Sequence, residues 1–148
     1  MTSLPINLDM IRSRSADIRR ESEMLRAYSV LSVETFSTDA EKVRAARYSL
    51  TVVVEAAATI CNHLVARQGR VSESYPGCFQ LLGELGIVDA SLATRLAALA
   101  RLRNLLVHGY GRVDDRRLHH LMRQDLGDLE AFLAAVGAHV LSSSGELP

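Results

Sequence analysis

Late in the chain, an arginine, a histidine and a tyrosine stand close together in the stretch Arg103-Asn104-Leu105-Leu106-Val107-His108-Gly109-Tyr110. Arginine is permanently charged and grips phosphate through paired donors. Histidine titrates with an unperturbed pKa of about 6.5 and can give or take a proton near neutral pH. A phenol can stack on a base or donate to a phosphate, and Asn104 can orient the histidine or hold a ribose. These groups suit cleavage of RNA without a metal: His108 as general base or acid, Arg103 on the phosphate where charge accumulates. Each residue alone has a plainer reading. Cations near a helix C-terminus are favoured by the helix dipole, and a glycine after the last turn is a common stop. Their occurrence as a set favours the chemical reading. So does the local charge: between Arg95 and Arg123 lie seven arginines and only two acids, Asp114 and Asp115.

Geometry limits how such a site is built. At about 100° per residue, Arg103 and His108 lie about 140° apart around a straight helix. Tyr110 returns to within about 20° of Arg103. One site therefore needs either a last turn that deviates at His108 or a second subunit. A two-fold interface along this helix would gather two arginines and two histidines in one cleft.

The elements that must carry these residues are all helical. Apolar residues recur at helical spacing from Asn7 to about Tyr28, with Ser15 and Ser22 in the same stripe. The two serines suit either close approach of another helix or a polar face toward a partner. Thr38, with Glu41 three residues on, predicts a capping box for the longest helix, ending near Arg67 with Gly69 as a left-handed stop. Its centre, Leu50 to Leu64, is almost wholly small and apolar, the pattern of a central or interface helix, and Asn62 and His63 within it read as rim-exposed or capped. After a loop over residues 71–77, a short helix runs from Cys78 to about Leu85, and Gly86 ends it. Asp89 or Ser91 caps the helix that bears the motif. Asp114 and Asp115 cap one final helix with an apolar face from Leu118 to Val136. No sustained period-2 pattern predicts a strand. The expected architecture is an all-α up-and-down bundle of four main helices and a short one, one domain over residues 1–141 with a flexible tail over 142–148.

Composition narrows the alternatives. Seventeen basic residues balance seventeen acidic ones, so no global field marks a nucleic-acid partner; sixteen of the bases are arginine and Lys42 is the one lysine. Cys61 and Cys78 have no metal or redox spacing and read as buried free thiols. The adjacent His119 and His120 point about 100° apart, poor for one metal. There is no glycine-rich phosphate loop and no nucleophile elbow. Neither a metal nor a cofactor is expected. With no basic-then-apolar leader and no apolar run of about 18 residues, a cytoplasmic location away from membranes is the default expectation.

The motif resembles the signature of the HEPN superfamily, most closely its HepT-like branch of bacterial toxins. The similarity extends over residues 8–137: Val54-Glu55-Ala56-Ala57 and Asn62-His63-Leu64 on the long helix, Ser74-Tyr75 before the short one, and Arg103 to Tyr110 followed by Val113-Asp114-Asp115. Arginine, four residues and histidine alone would be a weak pattern; the tyrosine two residues on makes it specific. Ala58 and Cys61 are modest departures. The resemblance implies a homodimeric endoribonuclease toxin of a type VII (HEPN/MNT) toxin–antitoxin pair, with its cleft at the subunit interface. It implies an MntA-like nucleotidyltransferase antitoxin, in a possible higher hetero-oligomer, that transfers AMP to Tyr110. RNA is the implied substrate, cut to a 2′,3′-cyclic phosphate. The competing readings are a catalytically idle HEPN module that binds a nucleotide or a protein, and a purely structural helical oligomer.

Overall fold

The structure is a computed structural model and describes residues 4–109 and 114–145. Within them the chain forms α1 (Leu8–Ser29), α2 (Val33–Ser37), α3 (Ala40–Arg67), α4 (Tyr75–Glu84), α5 (Ala90–His108), α6 (Asp115–Gln124) and α7 (Gly127–Gly145), with no strand among the described residues. The helical class read from the sequence is observed. The count of elements differs at two places and a boundary at a third, each for a local reason.

The link before the long helix folds into α2, capped by the Ser32 side chain. Thr38 therefore closes α2 rather than opening α3. Asp39 caps α3 by accepting from the Lys42 amide at 3.2 Å, so the cap lies one residue later than expected and the Thr38–Glu41 capping box does not form. The short helix α4 begins at Tyr75, three residues earlier than the periodicity implied. Ser74 caps it by accepting from the Gly77 amide at 3.0 Å, and Pro76 sits in its first turn where no donor is needed. The expected final helix is two: α6 ends at Gln124 with Asp125 as its C-cap, and Gly127 restarts the chain as α7. Helix α7 continues through Gly145, into the stretch read as a tail.

The core forms around α3, which packs against α1, α2, α4, α5 and α6. Its buried side chains include Val43, Ala46, Leu50, Val53, Val54, Ala57, Ile60, Cys61 and Leu64. Small residues let neighbouring axes approach, and the apolar area removed from water stabilises the bundle by roughly 25 cal/mol per Å². By length and composition α3 could cross a membrane, yet 61% of its most apolar window is inside the bundle, which is the behaviour of a core helix. Ser15 and Ser22 of α1 are buried, which decides for close helix approach at those positions. Gly69 and Gly86 both take φ near +75° and end α3 and α4.

Antiparallel pairs set the layout. The start of α1 meets the end of α3: the Asn7 amide donates to His63 Nε2 at 3.0 Å, and Arg67 Nε donates to the Leu4 carbonyl at 2.6 Å. Burial, with a smaller contribution from the Arg67 cation, lowers the His63 pKa below its ordinary value. Helices α4 and α5 form a tight hairpin in which a β-carbon on Gly83 would come within 2.7 Å of Ala93 Cβ. Cys61 and Cys78, expected as free thiols, are joined in a disulfide between α3 and α4. Seventeen residues of separation carry no spacing signal, and only the α3–α4 reversal brings their Cα atoms to 6.3 Å.

Candidate active site

Helix α5 carries the motif, and its core stripe of Leu92, Leu96, Leu99 and Leu102 fixes its rotation against α3 and α4. Asp89 caps it, accepting from the Leu92 amide at 2.7 Å. At the other end α5 stays helical through His108. Gly109 closes it with φ −85°, and its amide donates to the Leu105 carbonyl at 2.7 Å. Glycine is required there by crowding rather than by a left-handed backbone: a β-carbon would fall well inside contact distance of the Leu105 carbonyl oxygen.

Arg103 is the most constrained polar side chain of the motif. Its Nη2 donates to Glu55 Oε1 of α3 at 2.5 Å, and its Nη1 donates to Asn104 Oδ1 at 3.1 Å. The guanidinium carbon sits 5.1 Å from the centre of the Tyr75 ring, a cation–π arrangement. The Arg103 side chain is only 13% exposed, whereas Glu55 is 46% exposed and reaches solvent. The arginine is thus held in one orientation by a carboxylate, an amide and an aromatic face.

His108 lies on the last turn of α5 and is exposed. It lines the same open groove as Arg103 and Asn104, about 680 Å³ in volume. Arg101, Leu105 and Gly109 of α5 complete one wall, and Glu73, Ser74 and Tyr75 at the start of α4 form the other. Of the two routes to a single site, a last turn that deviates at His108 is not observed, because α5 stays regular to its end. Arg103 and His108 both border the groove, which takes its lining from a wide arc of the helix. Tyr110 lies outside the described residues.

A family described as ribonuclease HepT-like matches residues 18–136, most of the chain, and spans α3, α5 and the motif. The chain belongs to the HepT-like ribonuclease family. A protein of Archaeoglobus fulgidus called "Putative RNase" is 44% identical over 68 residues, and the chain spans about half (51%) of that relative's length. Three solved structures share the fold. One is the tri-AMPylated Shewanella oneidensis HEPN toxin in complex with MNT antitoxin, with TM-score 0.81 and 24% identity over 88% of this chain and 98% of that one. Another is a MntA–HpeT toxin–antitoxin pair carrying a tyrosine-to-alanine substitution, with TM-score 0.80 and 23% identity over 87% and 98%. The third is YutE, a cytosolic protein of unknown function from Bacillus subtilis, with TM-score 0.73 and 18% identity over 93% and 95%. At these identities the likeness is one of fold.

Placed on a HepT-like fold, the other polar residues of the sequence separate into site and scaffold. His119 is buried, bonds the Leu31 carbonyl at 2.7 Å and packs on Phe36, while its neighbour His120 is exposed elsewhere. Asp114 caps α6, and Asp115 pairs with Arg47 of α3 at 2.6 Å. The site residues that sequence reasoning did not assign are Glu55, Tyr75 and Arg101. Glu55 had a signal: it is the one carboxylate in the apolar centre of α3, and a charge on a buried helix calls for a partner. Tyr75 had only its place in the Ser74-Tyr75 piece of the resemblance, which gave it no role; its contact with Arg103 follows from Ser74 capping α4.

Proposed function

We propose that this chain is the ribonuclease toxin of a two-component pair, acting in the cytoplasm as a homodimer. The observation that carries the reading is the groove bordered by Arg103, Asn104 and His108 in a chain of the HepT-like family. The chemistry is transesterification. A ribose 2′-hydroxyl attacks the adjacent phosphorus while a histidine takes its proton. The P–O5′ bond breaks, and the departing oxygen receives a proton from a second acid. The products are a 2′,3′-cyclic phosphate and a 5′-hydroxyl. His108 from each of two subunits would fill the two roles, and Arg103 would stabilise the phosphorane charge. Asn104, bonded to Arg103, would position the guanidinium or the ribose.

The partner in this reading is an MntA-like nucleotidyltransferase that adds AMP to Tyr110. Bulk and negative charge beside a site built for phosphate would close it. The Shewanella oneidensis toxin of similar fold, tri-AMPylated and bound to an MNT antitoxin, supports that assignment. One observation favours the second reading, an idle nucleotide- or protein-binding module: Glu55 already neutralises Arg103 in the isolated chain.

One experiment decides between them. Wild type and His108→Ala are induced in cells and incubated, purified, with total RNA. Growth arrest and cyclic-phosphate ends with wild type only, from two proteins of equal mass by ultracentrifugation, are expected. Equal toxicity of the two would sink the catalytic reading. Tyr110→Phe should keep cleavage and lose AMP labelling by the antitoxin; undiminished labelling would overturn the acceptor assignment.

A further inference from the structure

Arg101 is absent from the motif as read, yet it stands in the groove. Seven residues separate it from His108, so on a regular helix the two lie within about 20° of one face and about 10 Å apart along the axis. Asn104 and Leu105 fall between them on the same stripe, and α5 is regular throughout. The two arginines of the groove are held differently. Arg103 is mostly covered and engaged by Glu55, Asn104 and Tyr75. Arg101 is exposed, and among the described residues no ion pair or hydrogen bond ties its guanidinium. A cation already matched by a carboxylate adds little to the attraction of a polyanion, whereas an unmatched one in the same groove adds a full charge.

We propose that Arg101 binds a phosphate of the RNA strand neighbouring the scissile one, so that the strand runs along the Arg101–His108 stripe of α5. Arg103 then acts as the oriented cation at the reacting phosphate, and Arg101 supplies affinity for the flanking backbone. Phosphate contacts position a strand without reading its sequence. Arg101 accordingly sets how tightly single-stranded RNA is held and not which bases are chosen. This inference rests on the ribonuclease reading of the same groove.

The test measures binding of a labelled mixed-sequence single-stranded RNA 20-mer to His108→Ala protein, so that no turnover interferes, and cleavage of the same RNA by protein with His108 intact. Arg101→Gln should weaken binding about tenfold near 0.1 M salt and reduce the slope of log Kd against log salt by about 0.7. The loss in cleavage should fall in KM, with kcat nearly kept. Arg12→Gln, an exposed arginine on α1 outside the groove, controls for net charge alone. Equal affinity and equal salt slope for the Arg101 and Arg12 variants overturn the proposal. If His108-dependent cleavage persists in that case, the ribonuclease reading stands and only the role of Arg101 falls. Wild type that neither binds nor cuts RNA removes both.

Discussion

Arg103 of α5 and Glu55 of α3 meet at 2.5 Å, and this ion pair anchors the Arg103 guanidinium. It joins the core helix to the helix that carries His108. The arginine is largely covered and the carboxylate half open to water, so the pair is neither a solvent-screened surface bridge nor a fully buried one.

Replacing one partner leaves the covered guanidinium or its seat without a match. Glu55→Gln should cost about 1 kcal/mol of stability, discounted from the buried-pair range because Glu55 is solvent-exposed. The double variant Glu55→Gln with Arg103→Gln should lose less than the sum of the singles. Urea unfolding of the four proteins checks this, and additive losses would show that the pair is not coupled.

Gly109 is crowded against the Leu105 carbonyl, so Gly109→Ala must push the end of α5 outward. We expect a modest stability loss of about 1 kcal/mol, because an exposed helix end can relax. On the ribonuclease reading, RNA cleavage should fall by a far larger factor, since displacing His108 by a fraction of an ångström disturbs the reacting geometry. Urea midpoints and cleavage rates from the same preparation separate the two effects.

His63 gives stability a pH dependence of known sign. Its folded pKa lies below the ordinary 6.5 because burial, and then Arg67, disfavour the charged form. Below about 6.5 the unfolded chain therefore binds more protons at this site than the folded one. The contribution is full above that pH and is lost as pH falls through it toward the lower folded pKa. Protonated Nε2 also cannot accept from the Asn7 amide. His63→Gln keeps an acceptor without a titration. Between pH 7.5 and 5, wild type should lose stability relative to this variant, and parallel curves would refute the assignment.

Much of the bundle was legible because helical periodicity and glycine stops are local signals. The stripe of Leu92, Leu96, Leu99 and Leu102, the stop at Gly69 and the all-α class all follow from residues within a few turns of one another. The break at Gly127 was harder to read, since the apolar face from Leu118 to Val136 continues across it in pattern while the backbone does not. The start of α4 was missed because a capping serine and a proline at the first turn resemble a loop.

The sequence by itself determined which side chains are candidates for chemistry, since Arg103, Asn104 and His108 are defined by type and by spacing along one helix. Only the tertiary structure decided what surrounds them. Glu55 lies 48 residues from Arg103 in the chain, and Tyr75 reaches it from a different helix. No local pattern encodes such meetings, because they depend on how α3, α4 and α5 pack. The same packing of α4 against α5 forms the groove that Arg103 and His108 both border, although about 140° separates them around the helix.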